Sequence, residues 1–135
     1  MIGEKIGEES GRIIGQRVLP NPGGGVPHME TSFRATGTLL GVNHTSIVTY
    51  ASHIRPDGTV YGAGEGLIMG AGGEQATLIG SGVGTLKKDG SISYRGAVYY
   101  NSASQKWARL NNVAAVFEYE VDAQGNTHSQ IWEWK

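Results

Sequence analysis

Few side chains in this sequence carry reactive chemistry, and they gather between residues 43 and 54. His44, Ser46, Tyr50, Ser52 and His53 fall there, with further tyrosines at Tyr94 and Tyr100. If the strands turn them inward, His44 with Ser46 and a tyrosine can position or protonate a bound molecule, because a buried hydroxyl or imidazole must find a partner. The alternative is that the hydroxyls satisfy one another or the backbone, and that His44, near a turn, is solvated. No serine–histidine–acid spacing supports a nucleophile, and no inward carboxylate is placed. With no cysteine, disulfides, thiolate metal sites and cysteine nucleophiles drop out together. Metal binding needs three or four donors brought together. Here His28 and His44 lie near opposite ends of one hairpin, on the order of 30 Å apart at ~3.3 Å per residue, and His53 points outward near Glu30. No metal and no cofactor is expected. Gly62-Ala63-Gly64-Glu65-Gly66 and Gly80-Ser81-Gly82-Val83-Gly84 alternate like strands, and neither opens a helix with a following lysine, as phosphate cradling requires.

The elements that must hold these residues are read from composition and turns. A chain of 135 residues falls in the usual size of one domain and can bury a core. A formal net charge of −1 offers no general attraction for nucleic acid or an anionic bilayer. Met1 to Ser10 carries acids and glycines instead of a basic segment followed by an apolar run, so it does not read as a signal peptide. No apolar run is long enough to span a membrane as a helix. The expectation is a soluble cytoplasmic protein with neither nucleic-acid nor membrane partners.

Turn signals then divide the chain. Arg55-Pro56-Asp57-Gly58 has proline to preset φ and glycine to supply a left-handed residue, and Lys87-Lys88-Asp89-Gly90 and Asp122-Ala123-Gln124-Gly125-Asn126 repeat the logic. Ala71-Gly72-Gly73 marks another connection, and Gly41-Val42 reads as a two-residue turn with glycine first. Between them, runs rich in Val, Ile, Thr and Tyr alternate with period two. The expected strands are 11–19, 28–40, 43–55, 59–70, 75–87, 91–100, 113–122 and 127–134, with Asn21 to Pro27 a loop and Ser102 to Leu110 a short helical piece. This is an all-β single domain, 1–135, and the architecture expected is a closed antiparallel barrel of about eight strands.

Pairing those strands sets Tyr50 opposite Gly64, Val48 opposite Gly66, Gly84 opposite Tyr94 and Gly82 opposite Gly96. It also sets Gly62, Gly64 and Gly66 opposite Gly84, Gly82 and Gly80, and Phe33 opposite Tyr50. All turns agree on one apolar face, which carries Phe33, Val48, Tyr50, Ile54, Leu86, Tyr94 and Tyr100 among others, with Arg34, Thr49, Glu65 and Arg95 on the polar face. Seven glycines, at 62, 64, 66, 80, 82, 84 and 96, point inward. Glycine weakens a strand by roughly 0.5–1 kcal/mol each, so the cluster needs a reason. Either neighbouring aromatics lean across it in a packed, sharply coiled barrel, or it is a cavity wall. In the cavity reading Phe33, His44, Tyr50, Gly64, Gly82, Tyr94 and Tyr100 contact the ligand, and leucine at Gly64 or Gly82 fills the space.

Toward the C-terminus Phe117 and Tyr119 share one face. Hydropathy turns Trp132 and Trp134 inward, whereas a three-residue Ala-Gln-Gly loop turns Ile131 and Glu133 inward. Burying two indoles favours the first; under the second the tryptophans form an exposed strip of the kind found at oligomer interfaces. The segments Ser93 to Tyr100, Ala108 to Asn111 and Val116 to Val121, with the Arg-Pro-Asp-Gly turn and the terminal Trp-Glu-Trp-Lys, resemble a family of small uncharacterised bacterial proteins. The resemblance spans about residues 11–135 and implies a barrel like that of allene oxide cyclase and related calycin-like proteins, but it supplies no activity. Two functions follow. One is a barrel that binds a small, largely apolar molecule, as a carrier or as a cyclase or isomerase that confines a reactive ligand. The other is a non-catalytic homo-oligomeric structural or interaction module with a packed interior and with Tyr61, Tyr99 or Trp107 at interfaces.

Overall fold

Four hairpins share one turn, and that turn organises most of the chain. In the computed structural model, which describes residues 1–135, the closing hydrogen bonds run from Arg55 N to Thr59 O, Gly70 N to Glu74 O, Lys87 N to Ser91 O and Asp122 N to Asn126 O, all 2.7–2.9 Å. Each loop places a glycine at positive φ (Gly58, Gly73, Gly90 and Gly125), the conformation that only glycine adopts without strain. Three of the loops add an aspartate cap. Asp57 Oδ1 accepts from the Thr59 amide and hydroxyl, Asp89 Oδ1 from those of Ser91, and Asp122 Oδ1 from the Gln124 and Asn126 amides. These donors, with the Asn126 side-chain amide on Asp122 Oδ2 as the largest cause there, hold all three carboxyls below the usual aspartate range.

The strands so joined are β1 (Ile2–Leu19), β2 (His28–Leu39), β3 (Val42–Ile54), β4 (Val60–Gly70), β5 (Gln75–Leu86), β6 (Ile92–Asn101), β7 (Ala114–Val121) and β8 (Asn126–Trp134). They pair antiparallel in sequence order, and β8 closes on β1 to complete the barrel. The expected all-β closed barrel is therefore the observed fold. The helical piece is a single 3-10 helix, Gln105–Asn112, between β6 and β7. No helix of the chain is long and apolar enough to cross a membrane.

Two expected registers are off by two residues. The β2–β3 turn is Leu40-Gly41, both at positive φ (48° and 76°), so Phe33 faces Val48 and Thr31 faces Tyr50. The β4–β5 turn closes at Gly70 and Glu74, so Gly62 and Gly64 face Gly82 and Gly80, and Gly66 faces Leu78. Moving a closing pair by one residue shifts register by two, and a shift of two leaves every side chain on its own face. The inward set therefore holds: Phe33, Val48, Val60, Ile68, Tyr94, Val98 and Tyr100 are buried, while Ile54 and Leu86, at the strand ends, stay exposed.

The third correction is at β8, where turn arithmetic prevails over hydropathy. Asp122 N bonds Asn126 O, Phe117 faces Ile131, and Ile131 is buried. Trp132 thus points outward and is half-buried, and Trp134 is exposed. The fourth is the start of the chain. Residues 2–10 are strand, and β1 pairs with β8 through its first half and with β2 from Gly7 onward.

The interior holds two apolar clusters. Phe33, Ala35, Val48, Val60, Tyr94 and Tyr119 form one. The other, which includes Leu39, Ile68, Tyr100 and Ile131, is sealed by Trp107 and Leu110 of the 3-10 helix, both fully buried. Trp107, expected outward, is instead a plug whose indole Nε1 donates to Leu39 O at 2.9 Å. The helix is tied down by Ser102 N donating to Asn111 Oδ1 (2.8 Å), Asn111 Nδ2 donating to Ser102 O (2.8 Å) and Ser102 Oγ donating to Gln75 O (2.6 Å).

Candidate functional site

Register brings a carboxylate into the barrel. Glu9 on β1 faces Gly37 on β2, and Gly37 faces His44 on β3. Glu9 and His44 therefore stand two strands apart in one inward row, with no side chain between them. His44 reaches across the glycine, and its Nε2 lies 2.8 Å from Glu9 Oε2. Ser46, two residues on and pointing the same way, donates its hydroxyl to the same oxygen at 2.6 Å. All three are buried. His44 is not solvated, although it lies near a turn.

An acid, an imidazole and a serine thus meet here, but in an order that makes no nucleophile. A serine is activated when histidine stands between it and the acid. Here the acid stands in the middle and Ser46 spends its proton on Glu9. The second ring nitrogen, His44 Nδ1, is sealed from solvent without a partner. A proton on Nε2 then satisfies Glu9 and leaves Nδ1 a bare acceptor, whereas protonation of Nδ1 would bury an unpaired N–H.

Glu9 forms part of the wall of a half-open cavity of about 100 Å³, lined by residues of both apolar clusters. Of the seven residues expected to contact a ligand, Phe33, Tyr50, Gly64, Gly82, Tyr94 and Tyr100 line it, together with Leu78, Val98, Phe117, Tyr119, Ser129 and Ile131. His44 does not; it stands behind Glu9. The Tyr50 and Tyr119 hydroxyls meet at 3.2 Å, and Phe33 stacks on Tyr119 with ring centroids 5.0 Å apart. Ser129 stands between Glu9 and Tyr119 in one register row and faces both. His28 stacks on His53 at 4.4 Å, far from this row in the register.

Burial raises four phenol pKa values. Tyr50 is pushed up to about 12. Tyr94, Tyr100 and Tyr119 are raised too, in each case first by burial, with the charge of Glu9 adding to the effect on Tyr100 and Tyr119. A phenol whose pKa is higher folded than unfolded stabilises the fold fully below its unfolded value, near 10, and loses that contribution as pH climbs through the folded value. These four of the six tyrosines are expected to ionise above the ordinary phenol range, Tyr50 at about pH 12, with near-UV circular dichroism lost as they do. Tyrosinate absorbance from these four near pH 10, with the fold intact, would place them in water.

The inward glycines divide into two kinds. A Cβ on Gly64 would fall on the Thr49 carbonyl and lie 2.6 Å from Tyr50 Cβ, and one on Gly82 would lie 2.9 Å from Arg95 O. These two serve close strand approach, so leucine there breaks the wall instead of filling the cavity. Gly62 has room: an added Cβ meets nothing nearer than Tyr94 Cε1 at 3.5 Å, Ser52 Cβ at 3.6 Å and Ala51 O at 3.7 Å.

Fold and site together define an eight-stranded closed antiparallel barrel with an aromatic interior cavity and one carboxylate at its wall. No family model matches the chain, and no curated protein matches it in sequence. Solved structures share the fold. A protein of unknown function from Clostridium acetobutylicum ATCC 824 aligns at TM-score 0.83 and 11% identity, covering 98% of this chain and 99% of its own. A beta-barrel like protein from Acinetobacter baumannii AYE aligns at TM-score 0.83 and 10% identity, covering 100% and 96%. An enzyme from Penicillium herquei aligns at TM-score 0.64 and 14% identity, covering 98% and 96%. Identities this low carry the architecture and no activity.

Proposed function

We propose that the barrel binds one small, largely apolar molecule in its interior. The observation that carries this reading is the half-open cavity, walled by aliphatic and aromatic side chains of both apolar clusters and supplied with a carboxylate and phenol hydroxyls that fix orientation. At about 100 Å³ it falls below the ~300–1,000 Å³ of drug-sized pockets and near the ~150 Å³ of a cavity that takes benzene. The ligand is therefore a single small ring or a short branched chain. The architecture, akin to allene oxide cyclase and calycin-like barrels, accords with a carrier or with a cyclase or isomerase that acts by confinement.

A second reading, association with another copy of this chain, has its own observation. The outward pairs Tyr61–Val83 and Ile79–Tyr99 flank a row of small residues, Ala63–Ser81–Ala97. Tyr61, Leu67, Ile79, Val83 and Tyr99 are exposed, and Glu65 is the only charge among the outward positions of β4 and β5. A trough of small residues between apolar ridges is self-complementary, as a two-fold interface requires. Both readings are tested by native mass spectrometry of the protein as purified. A small-molecule adduct that vanishes on denaturation is expected, on a dimer. A clean apo mass would count against the ligand, and a monomer against the interface.

A further inference from the structure

Glu9 is the one acidic side chain in the cavity wall, and its two oxygens are not equivalent. Oε2 is occupied by Ser46 Oγ at 2.6 Å and His44 Nε2 at 2.8 Å. Oε1 accepts no hydrogen bond from the protein, yet it is not sealed from solvent as His44 Nδ1 is. Glu9 itself is only 9% exposed. The carboxylate is therefore clamped through Oε2, while Oε1 stays unpaired on a residue that lines the cavity. The rest of the wall is mostly apolar, with Leu78, Val98, Phe117 and Ile131, and carries the hydroxyl-bearing Tyr50, Tyr94, Tyr100, Tyr119 and Ser129.

We propose that Glu9 Oε1 receives the ligand's hydrogen-bond donor, so that the molecule selected is a small apolar alcohol, phenol or amine. This rests on the cavity being the binding site. A ketone, nitrile or hydrocarbon of the same size would bury Oε1 without a partner, and a site built to bond a hydroxyl rejects its analogue on that ground. The clamp also makes the preference invertible. In Glu9→Gln the donors from Ser46 and His44 hold the amide oxygen in the place of Oε2, which turns the NH₂ group to the cavity and replaces an acceptor with a donor.

The test is an NMR titration of wild type and Glu9→Gln with phenol, fluorobenzene and benzonitrile. Wild type is expected to bind phenol roughly tenfold or more tighter than either of the others. Glu9→Gln is expected to lose that advantage, with benzonitrile overtaking phenol. Equal affinity for all three in wild type would overturn the role of Glu9 while leaving the cavity as the binding site. Binding of none would overturn both. If Glu9→Gln does not fold, the wild-type ranking decides, together with the Glu9 side-chain carboxyl ¹³C resonance. That resonance is expected to move with phenol and not with fluorobenzene; a resonance that moves with neither would overturn the proposal.

Discussion

Gly96→Ala is expected to destabilise the barrel by about 3 kcal/mol or more, the upper end of what overpacking costs. The added Cβ would fall on the Ser81 carbonyl oxygen and lie 2.6 Å from Gly82 Cα. Both are backbone atoms of β5, so no side chain can rotate out of the way. The barrel can accommodate the methyl group only by opening the β5–β6 ladder, where Gly96 faces Gly82. Gly62→Ala makes the contrast. It adds the same methyl group on β4 with ordinary contacts at 3.5 Å, and lowering the entropy of the unfolded chain offsets part of any cost, so a change within about 1 kcal/mol is expected. Urea unfolding of the two variants checks both. Similar midpoints would mean that the close strand approach at Gly96 is wrong.

Trp107→Ala should cost about 3–5 kcal/mol, the range for emptying a fully buried large aromatic site. The indole is 0% exposed, seals one apolar cluster and gives its N–H to Leu39 O. Its loss leaves a cavity at the barrel end and frees the 3-10 helix from its anchor. Trp134→Ala removes an equal side chain from an exposed position and is expected to stay within about 0.5 kcal/mol. Unfolding midpoints measured side by side separate the two. If Trp134→Ala cost as much as Trp107→Ala, the β8 register with Ile131 inward would be wrong.

How legible the fold was depended on what each segment had to say locally. The three Asp-Gly turns declare themselves through residues whose chemistry makes the turn, and Arg55–Thr59 and Lys87–Ser91 close as expected. The slips at Leu40-Gly41 and Gly70–Glu74 kept the faces because strand side chains repeat every two residues. At Trp132 and Trp134 total hydropathy misled. Turn length fixes which side chains point inward, and the half-buried and exposed indoles were not needed to complete the core.

The site was legible only in part. The aromatic lining followed from alternation, but Glu9 did not. It lies in a run of glycines and charges, residues 3–12, that has no apolar alternation: Ile6 is its one buried hydrophobe, beside a register shift, and the inward positions that follow are Gly7, Glu9 and Gly11. Partnership with His44 and Ser46 is what makes an inward carboxylate tolerable, and those partners are 35 and 37 residues away in the chain. The glycines spaced at 3, 7, 11 and 15 carry no chemistry, and only Gly11 among them serves a close backbone approach, to Arg34 O. Gly64 and Gly82 line the cavity, yet the neighbouring backbone atoms, Thr49 O and Arg95 O, show why neither tolerates a probe substitution.

The most direct test of the interior binding site is native mass spectrometry of wild type and Gly62→Val, expressed and purified side by side. Gly62 lines the cavity and an added Cβ there meets only ordinary contacts, so valine is expected to take up free volume with the barrel still folded. The result expected is a small-molecule adduct on wild type and none on a folded Gly62→Val. An equal adduct on both, or none on wild type, would contradict a ligand held inside the barrel.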